Sequence, residues 1–177
     1  MGDSISAAYG IQREQGWVNL LSEELVHSER PYSVVNASIS GETTSGGLAR
    51  LPQALEKHDP EVVVIELGGN DGLRGYPTDT IRGNLQNMVE LAQSQHRGVL
   101  LVGMQIPPNY GPRYTRAFFM LYADIAADTG ATLIPFFLER VALEPELMQN
   151  DGIHPTAAAQ PLLFETLWDH LEPMLVP

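Results

Sequence analysis

Serine, aspartate and histidine stand near the two ends of this 177-residue chain in a pattern that could split an acyl bond. Gly2-Asp3-Ser4-Ile5-Ser6 opens it, and Asp151-Gly152-Ile153-His154-Pro155 lies near its close. A serine hydroxyl is a weak nucleophile until a base removes its proton. His154 can be that base, since histidine is the side chain most often used for this task. Asp151, three residues earlier, can accept a hydrogen bond from the ring Nδ1. That bond leaves Nε2 free for Ser4 and stabilises the imidazolium as it forms. Pro155 restricts the backbone of His154 and helps to hold the loop shape.

Acyl transfer also needs donors for a tetrahedral oxyanion. Gly41, after Ser38-Ile39-Ser40, offers a backbone N–H with no side chain in the way. Asn70, after Gly68-Gly69, offers a side-chain amide, and the Ser4 N–H is a third donor. Each piece alone has an ordinary reading. Gly-Asp-Ser, Gly41 and Gly-Gly-Asn-Asp-Gly are most simply turns that use glycine, aspartate and asparagine backbone freedom. Their significance depends on a fold that gathers them.

The pattern between these pieces supplies such a fold. Ser33–Ala37, Val62–Leu67, Val99–Gly103 and Ala131–Ile134 are continuous apolar or β-branched runs, as expected of strands covered on both faces. Helical spacing marks Trp17–Val26, Thr43–Glu56, Thr78–Ser94, Arg113–Asp128 and Leu162–Leu175. Pro52 is placed to kink the second of these, and Gly130 to stop the fourth. Pro161 sits near the first turn of the last, where proline is tolerated. The β-α alternation predicts an α/β fold, a parallel sheet with helices on both faces. No internal repeat or linker interrupts residues 1–177, which read as one domain. In such folds functional residues sit on loops beyond the carboxyl ends of the strands. Ser38–Gly47, Gly68–Pro77 and Gln105–Arg113 are the polar, glycine-rich loops on that edge.

Composition excludes several chemistries. The formal net charge of −12 repels phosphate backbones, so nucleic acid is not an expected partner, nor is an anionic membrane surface. No run approaches the roughly 20 apolar residues of a membrane span, so stable membrane insertion is not expected. There is no cysteine, hence no catalytic thiolate, disulfide framework or thiolate metal site. His27, His58, His96 and His170 fall near helix ends or loops, where solvated or capping roles suffice. No metal-binding spacing, Gly-x-Ser-x-Gly elbow, phosphate loop or dinucleotide fingerprint is present.

With these residues assembled, the chain resembles the SGNH, or GDSL-type, hydrolases over nearly its whole length. Ser4, Gly41, Asn70 and His154 supply the four name letters in the family's order. The likeness is strongest to the bacterial acyl-CoA thioesterase I/protease I/lysophospholipase group. It rests on residues 34–41, 47–52, 66–75, 109–114 and 148–155. The resemblance implies a flavodoxin-like three-layer α/β/α sandwich with strand order 2-1-3-4-5. It implies a Ser4-His154-Asp151 triad, an oxyanion hole from Ser4, Gly41 and Asn70, and no cofactor or metal. It further implies a monomeric esterase and thioesterase acting on small acyl esters and thioesters, aryl esters and lysophospholipid, in the bacterial periplasm or secreted. By analogy, the acyl tail would lie beside Leu73, Tyr76, Pro77, Ile106, Pro107 and Tyr110. A carbohydrate acetyl esterase and a non-catalytic SGNH module or inactive fragment are the alternative readings.

Two departures from the family pattern are visible. Ile5 replaces the leucine of the Gly-Asp-Ser-Leu signature, an apolar exchange. The second is larger: the family's first strand runs into Gly-Asp-Ser, but here only Met1 precedes Gly2. The first strand is therefore expected to be missing or truncated in this sequence, so that its two neighbours lose a shared partner. Either the chain is trimmed, or its start is mis-assigned, or another segment fills the place.

Overall fold

The computed structural model describes residues 1–28 and 30–175. Its centre is a parallel sheet of β1 (Val62–Ile65), β2 (Gly98–Val102) and β3 (Thr132–Ile134), in that spatial order. Val62 pairs with Gly98 at one end of the β1–β2 ladder, and Leu100 pairs with Thr132 in β2–β3. β2 is the middle strand, and Val99 to Val102 are all buried. That burial is why its sequence is a continuous apolar run.

Helices cover both faces. On one side α2 (Thr44–His58), α4 (Thr78–Gln93) and α5 (Pro112–Thr129) pack side by side. On the other, α1 (Trp17–His27) packs on α6 (Gln160–Leu171). α4 buries Ile81, Leu85, Met88, Val89 and Ala92, the stripe its spacing predicts. Thr43 caps α2 by accepting a bond from the Gly46 N–H. Pro52 lies inside α2. α5 ends at Gly130, which adopts the left-handed conformation common at helix ends. α6 begins at Gln160 with Pro161 in its first turn.

Two features differ from the sequence expectations. Gly68–Pro77 is not only a loop, because Gly69–Leu73 forms a short helix, α3. Ser33–Ala37, expected as a strand, runs beside the sheet without joining a ladder. A strand exists only where a neighbour accepts its hydrogen bonds. The place between this segment and β1 holds no strand; it is a cavity of about 360 Å³. Among the described residues no other segment fills the expected position of a first strand. Only Met1 and Gly2 reach it, where Gly2 makes a single parallel bridge to Glu66. The order β1-β2-β3 corresponds to the last three strands of the expected 2-1-3-4-5.

Candidate active site

The turn after Met1 and Gly2 carries Ser4 at the carboxyl end of the sheet. Glu66, just past β1, donates its N–H to Met1 O, and Ile39 donates to Gly2 O. Gly2 is squeezed between Ser6 and Ser38. A Cβ there would lie 2.7 Å from Ser6 Oγ and 2.8 Å from Ser38 Oγ. Only glycine lets the chain pass at this point. Asp3, Ser4 and Ser6 are buried polar residues on the same turn. Glu66 holds them from beneath, its Oε2 accepting from Ser6 Oγ at 2.6 Å and from Asp3 N at 3.2 Å. Burial pushes the Glu66 carboxyl well above its ordinary range, and the neighbouring Asp3 adds to this. Burial also raises Asp3.

His154 reaches this turn from the other end of the chain. Its Nε2 lies 2.8 Å from Ser4 Oγ, and its Nδ1 lies 2.7 Å from Asp151 Oδ2. Asp151 Oδ1 accepts from the N–H groups of His154 and Ile153 at 3.0 and 2.9 Å. The bond from the His154 N–H and the ring bond are the main causes that lower the Asp151 carboxyl to about 2. Asp151 is therefore an anion beside the ring. The loop is braced by the Met148–Pro155 bridge and by Gln149, whose Nε2 donates to both Tyr9 O and Pro155 O. The Tyr9 ring lies 4.5 Å from the His154 ring, centroid to centroid, with the two planes tilted by 39°.

The three oxyanion candidates sit on loops at this same edge of the sheet. Gly41 has φ +80, and the side of its Cα where a Cβ would project is open apart from Arg74 Nη2 at 3.9 Å. Neither Ser4 N–H nor Gly41 N–H donates to an acceptor among the described residues. Asn70 Nδ2 donates to Asp3 Oδ2 at 2.9 Å, which orients the amide and leaves its second N–H available. The Gly41 and Asn70 loops are tied together. Asp71, buried, accepts from Thr44 N at 2.9 Å and Thr44 Oγ1 at 2.7 Å. Arg74 donates to Gly41 O at 3.2 Å. Asp3, Glu66, Thr44 and Asp71 were not singled out from the sequence. A carboxylate inside or just after an apolar strand, as in Val62–Leu67, was the signal available for Glu66.

The residues expected along an acyl tail are dispersed in exposure. Tyr76, Pro77 and Pro107 are exposed, whereas Leu73 and Tyr110 are half-buried. Ile106 is buried, and its Cγ2 would lie 2.8 Å from a Cβ on Gly72. Tyr110 OH donates to Leu73 O and Tyr114 OH to Tyr76 O, at 2.7 and 2.6 Å, which ties the two segments together. Of the other histidines, His27 and His170 bond carbonyls one helical turn back, at Glu23 and Thr166.

Known proteins resemble this chain in sequence and in fold. Residues 1–161 match the model of the GDSL-like lipase/acylhydrolase family. The chain is 53% identical to esterase TesA of Pseudomonas aeruginosa over 175 residues, which is 99% of this chain and 87% of that protein. It is 41% identical to thioesterase 1/protease 1/lysophospholipase L1 of Escherichia coli strain K12, over 99% of this chain and 83% of that protein. The crystal structure of TesA superposes with a TM-score of 0.95 at 53% identity, covering 98% of this chain and 97% of that one. With a hydrogen-bonded serine, histidine and aspartate on a matching fold, the chain belongs to the GDSL-like lipase/acylhydrolase family.

Proposed function

We propose that this protein hydrolyses carboxylic esters and thioesters of small acyl substrates through a covalent acyl-enzyme, with Ser4 as nucleophile. The observation that carries the reading is the unbroken chain of contacts from Ser4 Oγ to His154 Nε2 and from His154 Nδ1 to Asp151, at 2.8 and 2.7 Å.

His154 Nε2 takes the Ser4 proton as Oγ attacks the acyl carbonyl carbon. Asp151 holds the ring in the tautomer that presents Nε2, and its charge stabilises the imidazolium. The oxyanion is met by the Ser4 and Gly41 N–H groups and the free amide N–H of Asn70. Collapse breaks the bond to the alcohol or thiol, which leaves with the proton held by His154. Water then attacks the acyl-Ser4 carbonyl and gives its proton to Nε2; collapse breaks the bond from the acyl carbon to Oγ, Ser4 takes that proton back from His154, and the acid leaves. The acyl chain runs toward Leu73, Tyr76 and Pro77 and the facing Ile106, Pro107 and Tyr110.

Hydrolysis of a short aryl ester and a short acyl thioester by the parent and by Ser4→Ala tests this reading. The variant should lose nearly all activity and all labelling by a fluorophosphonate. Retained turnover would overturn it. The family resemblance also leads us to place the enzyme in the periplasm or outside the cell, which fractionation of the source bacterium checks.

A further inference from the structure

Tyr9 is a large aromatic side chain left 53% exposed, yet its place is closely fixed. Its N–H donates to Ser4 O at 3.0 Å, which ties it to the nucleophile turn. Its carbonyl accepts from Gln149 Nε2 at 2.8 Å, and the same nitrogen donates to Pro155 O at 3.0 Å. Gln149 therefore links Tyr9 to the residue that follows His154. Gly10 makes this possible, since a Cβ there would run into the Gln149 amide. Ala8, just before Tyr9, holds φ +58, in the left-handed region that residues with a Cβ seldom adopt. Backbone of this kind persists only where its surroundings enforce it, and it clusters at functional sites.

This turn presents a ring laid on the catalytic base. The Tyr9 and His154 centroids are 4.5 Å apart, with planes 39° apart. Edge-on packing has a different signature, as between Trp17 and Phe137, at 5.6 Å and 80°. Two rings side by side in one plane could not approach to 4.5 Å. The imidazole therefore lies over the face of the phenol. Asp151 meets the imidazole at Nδ1 and Ser4 meets it at Nε2, both at the ring edge. Tyr9 takes one of the ring's two faces.

An aromatic face carries negative charge. It attracts a cation within about 6 Å of the ring centroid. Neutral imidazole has no net charge and gains little from it. Imidazolium, which forms when His154 takes the Ser4 proton, gains more. An interaction that is stronger in the transition state than in the ground state accelerates the step. The His154 side chain is only 17% exposed, so water screens this attraction weakly.

We propose that Tyr9 is a positioning residue for His154, whose ring face stabilises the imidazolium in both acylation and deacylation of Ser4. This role rests on the ester hydrolysis proposed above. It gives the triad a fourth member that supplies no proton and touches no substrate. Asp151 stabilises the cation through its edge, and Tyr9 through its face.

The test varies the charge of the ring at nearly constant shape. Tyr9→Phe, Tyr9→Leu and full chains with 3,4,5-trifluorophenylalanine or pentafluorophenylalanine at position 9 are compared with the parent. Fluorine withdraws electrons from the ring face and leaves the ring in place. Tyr9→Phe should stay within about twofold of the parent, because the face is kept. Tyr9→Leu should lower kcat by about 3- to 30-fold with KM little changed. The trifluoro ring should fall between these two, and the pentafluoro ring should be as slow as Tyr9→Leu. The loss should be the same for an aryl ester and an alkyl thioester of one acid. It should appear both in the first release of product and in hydrolysis of the acyl-enzyme. Circular dichroism checks folding, and the fluorinated rings keep the test valid if Tyr9→Leu does not fold. Fluorinated chains as active as Tyr9→Phe would show that only ring shape matters and would overturn the proposal. So would full activity of Tyr9→Leu, an equal loss in Tyr9→Phe, or a loss confined to KM or to one leaving group. A parent that neither hydrolyses these substrates nor reacts with a fluorophosphonate would remove the ester reading, and this role with it.

Discussion

Asp3 Oδ2 accepts a 2.9 Å hydrogen bond from the Asn70 amide, joining residues 67 positions apart. Because Asp3 Oδ1 is engaged by the Ile5 N–H at 3.0 Å, the carboxyl group cannot rotate away. The nucleophile turn thereby sets the direction of a donor on a different loop.

Asp3→Ala should release that amide. The Asn70 side chain would then sample rotamers that do not face the oxyanion. We expect kcat to fall by about 10- to 100-fold, less than complete loss of a donor, with KM little changed. Steady-state kinetics on an aryl ester, with circular dichroism as a folding control, measures this. A change confined to KM would show that Asp3 acts on substrate binding instead.

Asn70→Ala should remove the donor itself. The expected loss is roughly 100- to 1000-fold in kcat, because the bond strengthens as negative charge develops on the oxygen. Comparing kcat with KM separates this from a ground-state contact.

Asp151→Asn should preserve the fold, since Asp151 is exposed, and lower kcat by on the order of 10³- to 10⁴-fold through the wrong histidine tautomer. The substitution also has a pH signature. The Asp151 carboxyl is lowered from 3.8 to about 2 in the folded protein. Its stabilising contribution is therefore present above 3.8 and is lost as pH falls toward 2, because the unfolded chain binds the proton first. Urea midpoints of parent and variant should converge across that window. A gap that stays constant would place the cause elsewhere.

Asp71→Ala should act on stability. Two bonds to Thr44 would be broken inside the protein, leaving the Thr44 N–H without its acceptor. A buried donor left unpaired costs about 1–3 kcal/mol, and the lost bond was to a charged group, so about 3 kcal/mol is expected from urea denaturation. The loops of Gly41 and Asn70 would separate, so kcat should fall as well. Unchanged stability would mean that Thr44 finds another partner.

Three strands could be read directly because packing against the helices favours apolar runs: Val99–Val102 is buried throughout, and in Val62–Ile65 Val63 and Ile65 are buried while Val62 and Val64 are half-buried. The helix stripes were legible for the same reason, as in Ile81, Leu85, Met88 and Val89. Ser33–Ala37 has the composition of a strand yet forms none, because strand formation depends on a neighbour that composition does not reveal. α3 was hidden in a glycine-rich stretch whose intrinsic preference is against helix. Tertiary bonds around it, including those of Asp71, override that preference.

Sequence by itself determined the chemical inventory: one serine, one histidine and one aspartate at workable spacing, with Gly41 and Asn70 between them. Local spacing even determined the Asp151–His154 bond, since three residues of turn suffice to place it. The tertiary structure alone decided that Ser4 meets His154 across 150 residues and that Asp3 aims Asn70. It also decided that a buried Glu66 supports the turn from below. These contacts bring distant loops to one edge of a parallel sheet, and their distances follow from how strands and helices pack, which no local pattern encodes.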